Sequence, residues 1–504
     1  MPRRHRWLLA VLLLWPGAVG AQTASQTVVV RRVEVTGSTL PQSELADATE
    51  RFVGARLDRA GLQRVADAVS ARYSVSDVAF FTVTVPSQDF AAGTVRLVVY
   101  EGFVEAVELH GDMHRNAGLA AAYGRRLAAE RPLRRSKLER YVSFLRDVAG
   151  LTPDLKLLPG DRPGALCLSI ALESPRPKFT LAVDNQGEPR LDRIELQAGA
   201  TFYGLLRDGE RTQLSYLTTT TMDRLQFVAL SDSEVLDDDG TVARIGASFL
   251  RTRPQGTAGA GEAKTLQAAV AHTFLRSSGE DLTASFGLDV SRASDATYGA
   301  FHSSDRLRVL RALVSYAFSD ADRDFALTAA TGFGLDDFGA AIGPGFAGTA
   351  GFRKLALQAT LNRALDAALV LRLKAVAQYG ADRLPSSELY TFGGADIGAG
   401  FAPASISGDS AAGARVEIGY RAPWLPFRSG EFYADADGGA SWLRVRPPWP
   451  TRYAALASVG GGLRLAFGET AALDLGAALG VVADAPWLRR GDWRFAFALR
   501  TQTD

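Results

Sequence analysis

Stretches of alternating apolar and polar residues fill the chain from Phe179 onward, and they restrict its fold more than any other feature. In residues 369–376, Leu or Ala at the odd positions alternates with Val, Arg or Lys. Successive side chains of a strand point to opposite faces, so one face is apolar and the other is charged or small. Many stretches reach the roughly 9–11 residues of a tilted membrane strand, whereas soluble strands average about 5–6. The pattern therefore predicts a membrane β-barrel rather than a soluble β-sandwich, which would also alternate.

Sixteen such stretches can be counted, an even number, as a single-chain bacterial barrel needs to close with antiparallel strands. Closure matters because lipid cannot satisfy the hydrogen bonds of an open sheet edge. The longest connection, over residues 381–412, is rich in Gly, Ser and Ala and contains no predicted strand. Such long connections are often functional, and we expect this one on the extracellular side, where it could fold back into the lumen. The predicted strands lie near 179–184, 192–203, 210–218, 222–232, 241–251, 264–275, 280–291, 306–318, 324–334, 353–362, 368–380, 413–421, 430–443, 453–466, 471–482 and 491–499.

The first 21 residues have the pattern of an export signal. Arg3, Arg4 and Arg6 form a basic start, and an apolar run over 7–15 follows. Val19, Gly20 and Ala21 then provide small residues for cleavage before Gln22. The apolar run is too short for a membrane anchor, because a spanning helix needs about 20 apolar residues. We therefore expect residues 1–21 to be a signal peptide.

Strands alternate with amphipathic helices between this signal and the barrel. Pro41 predicts a helix start with Ser38 or Thr39 as its cap, and helical spacing returns after Asp58. The order β-α-α-β-β occupies residues 28–102 and repeats in 103–175, which suggests tandem modules that dock another molecule. The predicted strands are 28–35, 81–85, 94–100, 104–109, 155–158 and 166–172, and the helices of the second module are 115–129 and 134–148.

Short motifs occur in a characteristic order along the mature chain. They are Gly54, Tyr73, Pro86-Ser87-Gln88, Gly93 and Glu101-Gly102, then Leu158-Pro159-Gly160 and Gly164, then Asp184-Asn185-Gln186-Gly187, Gly204 and Asp208-Gly209, and finally Leu384-Pro385, Glu388, Phe392-Gly393-Gly394 and Gly408-Asp409. With its motifs in this order, the chain resembles the outer-membrane transporters of two-partner secretion, which are the haemolysin and filamentous haemagglutinin activators. The periplasmic modules of these transporters are POTRA domains.

The resemblance implies two α+β POTRA domains, at 28–102 and 103–175, and a 16-stranded transmembrane barrel at 177–504. It implies type V secretion, in which the POTRA domains recognise an unfolded exoprotein that leaves through the barrel. The implied partners are this exoprotein, outer-membrane lipid and the barrel assembly machinery. Two other functions stay open, which are an insertase for outer-membrane proteins and a passive porin. A soluble periplasmic adhesin is the least favoured alternative.

The long loop departs from the family pattern of Val-Arg-Gly-aromatic, because the matching stretch is Gly398-Ala399-Gly400-Phe401. In the family, the arginine pairs with an acid on the inner barrel wall and holds the loop. The matching acids, Asp435 and Asp437, fall on one face of a strand, which we expect to be the lumen. Arg383 or Arg415 could replace the missing arginine. The family's plug helix before the first POTRA domain is expected to be absent or short, and Phe497 and Leu499 are expected to serve as the insertion signal.

No pattern in the sequence predicts an enzyme, a metal or a cofactor. The net charge of +1 gives no reason to expect nucleic acid, and no Gly-x-Ser-x-Gly, His-Glu-x-x-His or phosphate-loop motif occurs. We interpret Cys167 as a small buried hydrophobe, and His110 and His114 as exposed residues. The run 237–240, Asp-Asp-Asp-Gly, resembles part of a calcium loop but lacks the later ligands, so we interpret it as a polar turn.

Overall fold

The computed structural model describes residues 27–111, 116–148, 154–173, 176–256, 260–297, 301–343, 348–425, 427–446 and 452–503. The expected signal peptide and His114 lie outside these residues. The chain divides into two compact units, of which the first contains residues up to 103 together with 161–165. The second unit contains the remaining residues.

The first module packs two helices on a three-stranded sheet of order β2-β5-β4, in which β2 and β5 are parallel. Its helix α2 begins at the N-cap Asp58, whose carboxylate accepts a hydrogen bond of 2.8 Å from the Gly61 N–H. Val65, Val69 and Tyr73 of α2 are fully buried because they recur on one face of the helix. The elements are β1 Val28–Val29, β2 Arg32–Thr36, α1 Gln42–Thr49, β3 Arg56–Leu57, α2 Arg59–Ser74, β4 Phe81–Thr84 and β5 Thr94–Glu101.

The start of α1 differs from the prediction, which gave the cap to Ser38 or Thr39. The residue before the helix is Pro41, and no side chain caps it. Thr39 instead donates its N–H and its hydroxyl to Glu101, at 2.8 and 2.9 Å. The Ser38 hydroxyl accepts from the Leu40 N–H at 3.1 Å. Both side chains are thus used to order the turn before the helix.

The second module repeats the architecture with a sheet of order β6-β8-β7. Cys167 is partly buried in this sheet, and burial raises the pKa of its thiol, which favours the unreactive protonated form. His110 is exposed and lies 3.5 Å from Glu108. No helix among the described residues is long and apolar enough to cross a membrane. The elements are β6 Phe103–Gly111, α3 Ala117–Ala129, α4 Arg135–Asp147, β7 Asp154–Pro159 and β8 Ala165–Leu172.

The rest of the chain forms the predicted closed barrel of sixteen antiparallel strands. Each strand pairs with the next, and the last pairs with the first, for example Leu499 with Val183. The strands are β9 Lys178–Asp184, β10 Glu195–Tyr203, β11 Arg211–Thr219, β12 Leu225–Val235, β13 Thr241–Thr252, β14 Gly261–Arg276, β15 Glu280–Thr297, β16 Phe301–Ser319, β17 Arg323–Gly334, β18 Arg353–Ala364, β19 Leu369–Gly380, β22 Ser410–Arg421, β23 Ser429–Leu443, β24 Arg452–Phe467, β25 Ala471–Asp484 and β26 Trp493–Gln502.

The two faces of the barrel have opposite chemistry. Apolar side chains such as Leu266 and Phe286, with 60% and 59% of their surface exposed, point outward. Their sequence neighbours Gln267, Ser285 and Gly287 line a lumen cavity of about 750 Å³ together with Asp289 and Arg311. This alternation is the expected consequence of the strand period, and it leaves the lumen lined with charged and small residues.

The second module is attached to the turns at one end of the barrel. Asn116 and the turn of Asp208 and Gly209 exchange two hydrogen bonds, of 3.0 and 2.7 Å. Arg140 of α4 donates to the carbonyl oxygens of Asp239 and Thr273, at 2.7 and 2.8 Å. The run 237–240 is thus the predicted polar turn, and its carboxylates bind arginine side chains and backbone N–H groups. We call this end of the barrel the module end and the opposite end the far end.

Candidate functional site

The connection between β19 and β22 leaves the far end of the barrel and folds back into the lumen. It was predicted to contain no strand, and this is wrong, because residues 390–392 (β20) and 406–408 (β21) form a small antiparallel hairpin. The predicted loop residues belong to this connection, which we call the lumen loop, residues 381–409. Three anchors hold this loop to the rest of the barrel.

The first anchor is Asp437, one of the two predicted wall acids, at the tip of the lumen loop. It lies on the inner face of β23 and is 6% exposed. Its carboxylate accepts the backbone N–H groups of Gly398 and Ala399, at 2.8 and 3.1 Å, and the hydroxyl of Ser458 at 2.5 Å. Gly398 has a φ of +97°, which favours glycine. Main-chain donors of the loop thus hold the acid without an arginine side chain.

The second anchor is a buried ion pair between Asp409 and Arg446, whose side chains are 0% and 1% exposed. Two nitrogen atoms of Arg446 donate to the two carboxylate oxygens, each at 2.7 Å. The same carboxylate accepts the N–H groups of Leu384 and Arg444, at 2.7 and 2.8 Å. This bidentate geometry fastens both ends of the lumen loop to the connection after β23.

The third anchor is Glu388, whose residue surface is only 5% exposed. It lies 2.7 Å from Arg311 of β16 and 2.7 Å from Lys354 of β18. Both cations point into the lumen, so this carboxylate links the lumen loop to strands β16 and β18, a part of the wall separate from the strand of Asp437. Glu388 belongs to the motifs found in the sequence, but nothing in the sequence indicates that Arg311 and Lys354 are its partners.

Two aromatic side chains of the lumen loop lie on glycines of the wall. A Cβ atom placed on Gly413 or Gly439 would lie 2.5 or 2.7 Å from the ring of Phe392. A Cβ on Gly480 would lie 2.7 Å from the ring of Phe401. Any larger residue at these three positions would therefore displace the loop. The predicted loop residues Gly393, Gly394, Gly400 and Gly408 lie in the same packed region, where added Cβ atoms would meet neighbouring backbone or proline atoms.

A cavity of about 150 Å³ lies beside Ala399, at the position where the family pattern has an arginine. Asp435, the second predicted wall acid, lines it, and the oxygen Oδ2 has no hydrogen-bond partner among the described residues. Arg415 approaches the other oxygen at 3.3 Å and donates to the carbonyl oxygen of Ala395 at 2.6 Å. Arg415 thus connects the wall acid Asp435 to the main chain of the lumen loop. Arg383, the other residue considered, contacts Thr349 through its carbonyl oxygen.

The predicted POTRA residues make structural contacts in the first module. The hydroxyl of Tyr73 donates to Glu101 at 2.6 Å, and Gln88 exchanges two hydrogen bonds of 2.8 Å with the backbone of Arg96. The Pro86 carbonyl oxygen accepts from Gln88 at 3.3 Å. The Gly102 N–H donates to Phe80 at 2.7 Å. These contacts order the turns of the module.

Replacing Tyr73 by phenylalanine is expected to destabilise the first module by about 1–3 kcal/mol, because Glu101 loses a buried donor. Burial and the neighbouring Glu101 raise the pKa of Tyr73 above its ordinary value. The folded state therefore holds the proton more tightly, so this stabilisation is present below about pH 10 and is lost as the pH rises further. Hydrogen exchange of residues 28–102 in the full chain, at neutral and alkaline pH, measures it. The control is Tyr100→Phe, since that side chain is 38% exposed; an alkaline response equal in wild type and Tyr73→Phe would contradict the prediction.

Comparison with known proteins places this architecture among secretion proteins. The family described as "Haemolysin secretion/activation protein ShlB/FhaC/HecB" matches residues 247–465. The domain described as "POTRA domain, ShlB-type" matches residues 28–102. A curated relative, "Heme/hemopexin transporter protein HuxB" of Haemophilus influenzae, is 24% identical over 243 residues. The match covers 46% of this chain and 42% of that relative, so it spans less than half of the relative's length.

Two solved structures share the fold. The structure of CdiB from Escherichia coli is similar with a TM-score of 0.76 and 19% identity, over 97% of this chain and 92% of that one. The structure of CdiB from Acinetobacter baumannii gives a TM-score of 0.67 and 16% identity, over 96% of this chain and 91% of that one. At these identities the likeness establishes the common fold.

Proposed function

Because the chain belongs to the haemolysin secretion/activation family of outer-membrane transporters, we propose that it exports an unfolded exoprotein in two-partner secretion. Its barrel spans the outer membrane and its POTRA modules lie in the periplasm. The module end of the barrel is therefore periplasmic, and the far end is extracellular. The POTRA modules would receive the exoprotein, and the barrel lumen would conduct it outward.

The lumen loop is the observation that best supports this function. It occupies the lumen through contacts made by a few carboxylates, Asp409, Asp437 and Glu388, and by aromatic rings on glycines. Such contacts are specific but local, so displacing the loop would open a passage without breaking the hydrogen bonds between barrel strands. A passive porin has no need of periplasmic modules or of a loop held at three separate anchors.

The lumen wall suits the passage of an extended chain. Arg372 of β19 and Arg464 of β24 bind Glu417 and Glu431 in one charged network, with distances from 2.5 to 3.1 Å. Mutually neutralised charges keep this part of the wall hydrated, so an unfolded polypeptide finds no apolar surface there. No cofactor is needed in this mechanism, and folding of the exoprotein outside the cell would supply the direction.

Docking of the exoprotein would use the open sheet edges of the POTRA modules. In the first module, β2 and β4 are the outer strands of the sheet, and each has one edge without a neighbouring strand of that sheet. An extended segment can add to such an edge through backbone hydrogen bonds, which tolerate varied sequences. The barrel assembly machinery would insert the chain itself into the membrane.

Deletion of residues 28–102 is expected to abolish secretion of the exoprotein, to be sought as a large secreted protein that depends on this chain for export. The measurement is the amount of that protein in the culture medium, compared with the full chain expressed at equal levels in the outer membrane. Unchanged secretion would remove the docking role of the first module.

Two further measurements distinguish export from the two other functions, those of an insertase and of a passive porin. Simultaneous loss of several unrelated outer-membrane proteins upon depletion would indicate an insertase. Steady solute-selective conductance of the purified protein, with secretion unaffected by its absence, would indicate a porin. We expect neither result.

A further inference from the structure

A row of basic side chains crosses three neighbouring barrel strands. Lys264 of β14 stands directly opposite Arg292 of β15, and Arg292 stands opposite Arg306 of β16. Directly opposed residues of antiparallel strands point to the same face, with Cβ atoms about 4.5–5.5 Å apart. All three side chains are exposed. Arg308 lies on the same face of β16, one side-chain row below Arg306.

This row lies on the outer, lipid-facing surface and not in the lumen. Lys264 shares its face of β14 with Leu266 and Phe274, which are 60% and 61% exposed. Arg292 shares its face of β15 with Phe286, which is 59% exposed. Cations are unfavourable on a lipid face at the bilayer midplane, and the penalty falls to near zero at the interfaces. The depth of the row therefore decides whether it is tolerated.

The row lies at the extracellular edge of the apolar band. Strand β14 runs from the extracellular end to the periplasmic end, where the turn after it contacts the second module through Ser278 and Glu139. Lys264 precedes the exposed Phe274 near that periplasmic end by ten positions. Ten residues of a strand tilted by about 40° rise roughly 25 Å, which is the height of the apolar band. The cations thus lie where the headgroups of the outer leaflet begin.

The four cations of the row form no salt bridge among the described residues. No carboxylate of the described residues lies within 4.0 Å of the basic nitrogens of Lys264, Arg292, Arg306 or Arg308. The lumen arginines, by contrast, are paired, as Arg311 is with Glu388. Like charges in adjacent positions repel one another, so the row is a site whose negative partner comes from outside the chain.

An apolar groove lies directly beneath the row. It has a volume of about 700 Å³ and is open toward the lipid. Its polar upper side is formed by the four cations, and the ring of Phe249 lies 5.7 Å from the Lys264 nitrogen. The apolar lining residues are Val228, Leu230, Phe249, Leu266 and Val290. The site therefore combines anion recognition above with a hydrocarbon surface below, in the order that a lipid molecule presents them.

We propose that Lys264, Arg292, Arg306 and Arg308 bind the phosphate groups of an acylated glycolipid of the outer leaflet, with its acyl chains in the groove. Arginine and lysine bind phosphate through charge-assisted hydrogen bonds. The site lies on the outside of the wall that the lumen loop contacts through Arg311 and Lys354, so a bound lipid would brace β14, β15 and β16, the longest region of the barrel sheet. This proposal depends on the orientation of the barrel in the membrane and not on the export function.

Native mass spectrometry of the purified full chain in detergent tests the proposal, with bis-phosphorylated hexa-acyl lipid A as the probe. The variant Lys264→Gln/Arg292→Gln/Arg306→Gln is expected to bind this lipid at least tenfold more weakly, since each cation near a membrane surface contributes about fivefold. The matched control is Arg190→Gln/Arg489→Gln/Arg490→Gln, which removes the same charge from exposed extracellular loop positions.

Three further arms separate the sources of the interaction. Dephosphorylated lipid A is expected to bind weakly, and with equal affinity, to wild type and to the triple glutamine variant. Inorganic phosphate at the lipid concentration is expected not to compete, and Lys264→Arg/Arg292→Lys/Arg306→Lys is expected to keep binding. Equal affinity of wild type and the glutamine variant for bis-phosphorylated lipid A would overturn the proposal, as would an equal loss in the Arg190 control. Competition by inorganic phosphate would overturn the lipid assignment. Equal migration of folded wild type and variant on unheated gels shows that the barrel has formed in each.

Discussion

Replacing Asp409 by alanine is expected to release the lumen loop and to destabilise the folded state by about 3–5 kcal/mol. The change leaves Arg446 charged and 1% exposed, with neither of the two carboxylate contacts of 2.7 Å. It also removes the acceptor of the Leu384 and Arg444 N–H groups. Breaking one side of a buried pair is more costly than removing both sides, because the remaining ion stays desolvated.

Thermal unfolding of the purified barrel and proteolysis of residues 381–409 measure this effect. Asp396→Ala is the matched control, because it removes another carboxylate of the same loop whose partner is Lys374 and whose side chain is 63% exposed. Such an exposed pair contributes about 0–1 kcal/mol. The double variant Asp409→Leu/Arg446→Met is expected to recover part of the loss. If Asp409→Ala and Asp396→Ala unfold at the same temperature, the buried pair does not hold the loop.

Replacing Asp437 by alanine is expected to free the tip of the lumen loop and to increase the ionic conductance of the pore. Two backbone N–H groups, of Gly398 and Ala399, lose their acceptor, and each unsatisfied buried donor costs about 1–3 kcal/mol. The Ser458 hydroxyl loses its partner as well. Because the tip packs against β24 and β25 through Gly398 and Gly400, its release would open the lumen on that side.

Conductance of single channels in planar bilayers tests this prediction, with wild type, Asp437→Ala and Asp437→Asn measured side by side. The asparagine variant keeps one carbonyl acceptor and is expected to fall between the other two. Asp435→Ala is the control, since that residue lies two positions away on the same face and binds Arg415 rather than the loop backbone. A larger conductance in Asp435→Ala than in Asp437→Ala would show that the wall acids have the opposite roles.

The wall acids Asp435 and Asp437 show which features of the site the alternating sequence pattern could predict. The sequence indicated that Asp435 and Asp437 share the lumen face, and the structure confirms it, because the strand period alone decides orientation. It did not indicate that Asp437 binds the main chain of Gly398 and Ala399. Every residue except proline has a backbone N–H group. The residue types in a sequence therefore do not indicate which N–H groups will bind a given carboxylate.

Partners distant in the sequence were missed for a related reason. Arg446 and Asp409 are 37 positions apart, and Arg311 and Glu388 are 77 apart. The ring of Phe392 packs on Gly413 and Gly439. Both glycines lie in strands that contain many small residues, so neither is distinctive in the sequence. A glycine on the lumen face indicates that another part of the chain approaches the strand closely. The sequence does not indicate which part, because that depends on how the loop folds.

The sequence by itself determined the sixteen barrel strands, their inward and outward faces and their closure into an even number. These follow from periodicity and from the need to satisfy every backbone hydrogen bond in lipid, which act within a strand and its neighbours. Only the tertiary structure decided which wall residues hold the lumen loop, that Arg415 lies beside Asp435, and that Lys264, Arg292 and Arg306 form one row. Those arrangements depend on strand register and loop path, which bring together side chains that no local pattern connects.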